Sequence, residues 1–176
     1  MYEESKIGRK YANFFEGGTK ELKERSVTKE WLNTYGIDNG YNEGTLSSVD
    51  DQWPDCEIAT NSGELCGIEV TELVDADCIR RNQKGENVYR HWTNEEIIDA
   101  IEVRLRNKNT KSHGGKYIKL IVLIHTDEFE IQFNDYSESI EKHYFTKFEN
   151  IDEAYLLYSY DPKYHKYPVS ILNLGT

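Results

Sequence analysis

The spacing of apolar positions along the chain predicts its elements one after another. Within residues 3–15, Ile7, Tyr11, Phe14 and Phe15 recur at helical intervals, and Gly17-Gly18 ends that helix. A second helix is predicted over roughly residues 20–35, where Val27, Trp31 and Tyr35 follow at four-residue steps before Gly36. Residues 38–52 mix Gly, Asn, Asp and Ser without a period and read as a loop. Two short runs, DCEIAT and ELCGIEVTEL, then flank Asn61-Ser62-Gly63, which is the pattern of a β-hairpin.

After a polar connection, TNEEIIDAIEVRLRNK places Ile97, Ile98, Ile101 and Leu105 on one stripe. Thr93 and Glu96 ahead of that stripe have the spacing of a capping box, so the helix start is well defined. Gly114-Gly115 stops the helix, and YIKLIVLI (117–124) is a nearly continuous apolar run, the pattern of a central strand covered on both faces. A helix over about 136–147 and two Tyr-rich strands around Asp161-Pro162 follow, the last being YPVSILNL (167–174). The resulting order, ααββαβαββ, predicts an α/β three-layer or an α+β arrangement with a small mixed sheet between helices, and excludes a bundle or a sandwich.

Composition adds that the 176 residues, 38% hydrophobic and 12% aromatic, suffice for a folded core. With three prolines and no repeat, residues 1–176 are expected to form a single domain. No apolar run approaches the roughly 20 residues of a membrane helix. The N-terminal MYEESKIGRK has no signal-peptide core, so neither a membrane nor a secretory location is expected. Cys56, Cys66 and Cys78 form an odd set without CxxC, which favours reduced thiols in a cytoplasm.

The net charge of −11 argues against a chain whose whole surface attracts a polyanion. Its distribution changes that picture locally: ten bases and five acids lie between Arg80 and Lys119, and no acid lies between Val103 and Lys119. A solvated helix end accounts for much of this run. Arg80, Arg81, Lys84, Arg90 and His91, just after the hairpin, are the candidates for phosphate contacts.

The chemistry concentrates in WPDCEIATNSGELCGIEVTEL. Period-2 geometry puts Glu69 and Thr71 on one face of the second hairpin strand. The partner strand carries Asp55, whose carboxylate the hairpin brings beside that of Glu69 to within one or two residues of register. Two neighbouring anions need a partner, and Mg²⁺ or Mn²⁺ takes oxygen ligands from carboxylates, waters and substrate phosphates. Glu57 and Glu72 read as surface acids. The five histidines have no zinc-like spacing with the cysteines. The tyrosines near the C-terminus suit half-buried strands better than base stacking.

Pro54-Asp55 on one hairpin strand, Glu69-Val70-Thr71 on the next, then a capped helix and a buried strand together resemble the PD-(D/E)xK nuclease superfamily over roughly residues 20–125. The resemblance implies a restriction-endonuclease-like core, to which residues 126–176 add a helix and strands. It implies that Asp55 and Glu69 bind the metal, that the Val70 carbonyl adds a ligand, and that the motif's lysine place, here Thr71, positions the attacking water. Thr71 brings no positive charge, for which Lys84 and Lys119 are candidate substitutes. Superfamily members also place a first-helix Glu near the metal. Of Glu21, Glu24 and Glu30, Glu24 lies central to the arc of Val27, Trp31 and Tyr35 and is preferred.

The expected function is therefore a Mg²⁺- or Mn²⁺-dependent endonuclease acting on DNA, with Asp55, Glu69, Thr71 and Glu24 at its centre. Two alternatives stand beside it. One is a PD-(D/E)xK-like fold without catalysis that serves as a binding or regulatory module. The other is an acidic immunity-type module that meets a basic protein. A homodimer or a partner protein is compatible with each.

Overall fold

The computed structural model describes residues 18–49, 53–112 and 114–175, so the expected helix over 3–15 lies outside the described residues. Helix α1 is Lys20–Trp31, capped by the Thr19 hydroxyl, which accepts from the Leu22 N–H. It runs into a π turn, Leu32–Gly36, and a 3-10 turn, Ile37–Asn39. Then come β1 (Tyr41–Ser48), β2 (Cys56–Thr60), β3 (Leu65–Glu72), α2 (Ala76–Gln83), α3 (Asn94–Lys108) and β4 (Lys119–His125). The chain continues through α4 (Phe133–Lys142), β5 (Tyr144–Phe145), β6 (Glu153–Leu157), β7 (Val169–Ile171) and β8 (Asn173–Leu174).

Six strands form one mixed sheet in the order β1-β2-β3-β4-β6-β7, and β5 pairs β8 as a short separate ribbon. β1, β2 and β3 are antiparallel neighbours, β3, β4 and β6 are parallel, and β7 returns antiparallel to β6. The result is an α/β architecture with helices on both faces. On one face α1 buries Val27 and Trp31 against Cys56, Ile58, Ile68, Ile121 and Leu123. On the other, α3 and α4 bury Ile97, Ile101, Leu105 and Ile140 against Val122, Ile124 and Leu156. Each fully buried Leu or Ile contributes about 1.5–3 kcal/mol relative to exposure. The five residues Leu120–Ile124 are buried throughout because β4 is covered from both sides.

The capping box of α3 is complete, with Thr93 and Glu96 bonding each other's backbone N–H. Three expectations are corrected. The loop expected over 38–52 contains β1, an edge strand with Tyr41 as its one buried residue and a register shift between Asn42 and Ser47. Such a strand leaves no alternating apolar pattern. The polar connection contains α2, which buries only Cys78 and is started by the Asp75 carboxylate accepting from the Cys78 N–H. The helix expected over 136–147 occupies Phe133–Lys142 instead.

Candidate active site

The hairpin register brings the two acids together. Cys56 stands opposite Ile68 and Glu57 opposite Gly67, so one further step sets Asp55 opposite Glu69 and Pro54 opposite Val70. Opposed pairs in an antiparallel ladder alternate between hydrogen-bonded and non-hydrogen-bonded, the latter holding their side chains closer. The Thr60 N–H donates to the Glu64 carbonyl at 2.8 Å, which assigns the even-numbered β2 positions to the bonded class. Asp55 and Glu69 therefore form a close pair.

Pro54 ends the ladder because it has no N–H to donate. The Val70 N–H turns instead to Asp55 Oδ2 at 2.8 Å. A strand residue's N–H and C=O point the same way in this ladder, so the Val70 carbonyl also faces the end of β2, where Pro54 offers it no donor. Gly67 keeps this corner tight. A Cβ there would lie 3.2 Å from Pro54 Cγ, 3.3 Å from Leu120 Cδ1 and 3.4 Å from Tyr117 Cδ2.

Two lysines enter from opposite faces of the sheet. From the last turn of α3, Lys108 Nζ stands 2.5 Å from Glu69 Oε2 and 3.4 Å from Asp55 Oδ2. From α1, Lys20 Nζ stands 3.9 Å from Asp55 Oδ1 and 3.2 Å from Glu24 Oε1. Asp55 and Glu69 are 8% and 7% exposed at their side chains, so their charges need these cations. Burial pushes the Glu69 carboxyl above the usual range even against the Lys108 bond. Burial and the neighbouring Asp55 charge do the same to Glu24. The bond and charge of Glu24 hold Lys20 above its ordinary value.

The structure thus brings Asp55, Glu69 and Glu24 into one cluster, with the Val70 backbone at its edge. Glu21 is exposed and outside it. Thr71 lies on the Glu69 face by alternation, but the positive charge comes from Lys108 and not from the anticipated lysines. Lys119 is bonded to Glu153 Oε1 at 2.6 Å, and Lys84 is the C-terminal cap of α2. Lys108 carried a signal in the sequence. It continues the buried stripe of Ile97, Ile101 and Leu105 by three residues, and a lysine on an apolar stripe needs an anion. Arg104, one turn earlier, donates to the carbonyls of Glu72, Val74 and Ala100 and so ties α3 to the end of β3.

The anticipated phosphate-binding arginines are engaged elsewhere. Arg80 pairs with Asp77, Arg81 Nε with Glu86 at 2.8 Å, and Arg90 with Asp75 at 2.7 Å and Glu96 at 3.0 Å. The Arg90 guanidinium also lies 4.1 Å above the Trp92 ring. The Arg90 contacts fasten the start of α2 to the start of α3, while the other two pairs are local to α2 and the turn after it, and together they leave the basic run little unpaired charge there. Glu57 and Glu72, expected at the surface, are half-buried; Glu57 accepts from Tyr117 Oη at 3.0 Å, and burial pushes the Glu72 carboxyl up.

Among the described residues, no group of three or more His, Cys, Asp or Glu side chains is gathered in a metal-holding geometry. Asp55 and Glu69, with the Val70 backbone bonded to Asp55 through its N–H, are the oxygen-bearing groups that could contribute to a hard divalent ion whose shell waters or phosphate oxygens complete. A cavity of about 460 Å³ lies between α2 and α3, lined by Asp75, Arg90, Trp92, Asp99 and Arg104 among others, and does not include the cluster. Among the described residues no helix is long and apolar enough to cross a membrane. No protein-family model, curated protein or solved structure matches the chain.

Proposed function

We propose that the chain is a metal-dependent nuclease that cleaves phosphodiesters in DNA, on a restriction-endonuclease-like core. The observation that carries this reading is the convergence of Asp55 and Glu69 oxygens on one ammonium at a sheet end. It is supported by the order α1-β1-β2-β3-α2-α3-β4, with three antiparallel strands followed by a parallel crossover through α2 and α3.

In this reading Asp55, Glu69 and the Val70 carbonyl would hold Mg²⁺ or Mn²⁺, which would supply Lewis acidity toward the phosphoryl oxygens. Lys108 supplies the fixed positive charge that Thr71 lacks, and its stem is held by the packing of α3. With those carboxylates shared with a cation, the Lys108 ammonium would remain beside the site and could stabilise negative charge developing on the phosphate. The Thr71 hydroxyl, a donor and an acceptor on the Glu69 face, orients the water. Glu24, already short of solvent, is the group best placed to hold a proton near the reacting centre.

The test is nicking of supercoiled plasmid DNA in Mg²⁺ and in Mn²⁺. Asp55→Asn and Glu69→Gln are expected to lower the rate at least about a hundredfold with circular dichroism unchanged. A wild-type protein that cleaves nothing in either ion overturns the proposal. A second reading rests on the same bridge: an ammonium that neutralises both acids suits a binding or regulatory module. In that case Mn²⁺ leaves Tm unmoved.

A further inference from the structure

Beside the acid cluster stands an indole with no place in either core. Trp31 and Trp92 are 0% and 7% exposed, whereas Trp53 is half-buried in the segment leading to Pro54-Asp55. Its ring meets Tyr117 edge-on, with centroids 6.1 Å apart. Lys111 Nζ lies over the Trp53 ring, 5.9 Å from its centre. Tyr117 is itself anchored by Glu57, which also holds Lys116 at 3.2 Å. A half-buried aromatic ring two residues from Asp55 in the chain, with exposed Lys111 over it, joins a surface for a π system to a charge for a phosphate.

We propose that Trp53 and Lys111 form a nucleotide subsite, in which an unpaired base stacks on the indole and Lys111 meets the adjoining phosphate. The proposal rests on reading Asp55 and Glu69 as the cleavage site and narrows its substrate to single-stranded or locally unpaired nucleic acid. A duplex hides its base faces, whereas an unpaired strand offers them, and stacking tolerates any sequence. Lys111 adds a sequence-independent contact that salt weakens.

The experiment titrates the full chain in Ca²⁺ with oligothymidylate of about 16 nucleotides and with a duplex of equal length, reading tryptophan fluorescence and the anisotropy of labelled strands. Single strands are expected to quench the fluorescence, and W53F to abolish the quench because Trp31 and Trp92 are buried. W53F should weaken single-strand binding about tenfold. K111A should weaken it severalfold and lower the salt slope by about one. Equal binding by wild type, W53F and K111A, or tighter binding of the duplex, overturns the subsite. Nicking by wild type in Mn²⁺ is scored separately: cleavage with unaltered W53F binding removes only this inference, whereas no wild-type cleavage removes the nuclease reading while leaving the quench to report on binding.

Discussion

The sheet carries two clusters in which lysine meets buried or half-buried carboxylate, one around Glu153 and one around Asp55 and Glu69, and they are built to opposite ends. At Glu153, Lys119 bonds one oxygen at 2.6 Å while the hydroxyls of Tyr41 and Tyr155 each donate to the other at 2.8 Å. Burial raises this carboxyl, but the bonds from Lys119, Tyr155 and Tyr41 outweigh it and bring the value below the ordinary one. At Asp55 and Glu69, two carboxylates share Lys108, and Glu69 ends up above the ordinary range. One cluster is saturated with donors and serves the fold. The other sets three carboxylates, Asp55, Glu69 and Glu24, against two ammonium groups, Lys108 and Lys20, so a further cation would gain free energy there.

Removing each lysine should separate the two most sharply. Lys108→Met strands two buried carboxylates and is expected to cost about 3 kcal/mol, measured by urea unfolding. Mn²⁺ should restore part of that loss by binding the folded state, and nicking should fall about a hundredfold. Lys119→Met leaves Glu153 with its two tyrosines in a more exposed setting, so about 1–2 kcal/mol is expected, with no response to Mn²⁺ and no change in nicking. Equal recovery of both variants by Mn²⁺ would erase the distinction.

Replacing the acids reverses the order of stability. Glu153→Gln sacrifices the acceptor of three donors and is expected to cost about 1–3 kcal/mol. Glu69→Gln leaves Asp55 with Lys108 and relieves a like-charge contact, so stability at neutral pH should hold or rise by up to about 1 kcal/mol. The pH dependence follows from the signs of the shifts. Above the ordinary glutamate value the unfolded chain has released protons that Glu69 and Glu24 still hold in the folded state. Their contribution therefore declines as pH rises from the ordinary to the raised values. Glu153 contributes fully above its ordinary value, and this is lost as pH falls through the lowered one. Urea midpoints against pH should flatten in the first interval for Glu69→Gln and in the second for Glu153→Gln.

Much of this architecture was legible in the amino-acid pattern, and the exceptions share a cause. The α3 capping box, the Asn61-Ser62-Gly63 hairpin and the strand through Leu120–Ile124 each carry local chemistry or an apolar run that dictates one conformation. β1 and α2 do not, because an edge strand with one buried residue and a helix with one buried cysteine owe their form to neighbours. The Asp55–Glu69 juxtaposition follows from hairpin parity, since turn and strand lengths decide it locally. Lys108 lies 39 residues from Glu69, and its partner depends on how α3 packs back on the sheet. The arginines misled for the complementary reason. A charge count registers Arg80, Arg81 and Arg90 but not Asp77, Glu86, Asp75 and Glu96 that fold against them.

The smallest expected effect uses a cysteine beside each cluster as a reporter. Burial pushes the thiols of Cys56 and Cys66 up to about 11; Asp55 and Glu24 act on the first, Lys119 and Glu153 on the second. At such values little thiolate exists near neutrality, so alkylation by iodoacetamide requires local opening. A cluster with unanswered negative charge should open more readily than one saturated with donors, and Cys56 should therefore react severalfold faster than Cys66 in peptide-resolved mass spectrometry. Mn²⁺ should slow Cys56 and leave Cys66 unchanged, because only the region around Asp55 gains from a cation. Equal slowing at both cysteines would show a global stabilisation instead, and would place the ion's effect outside the Asp55–Glu69 pair.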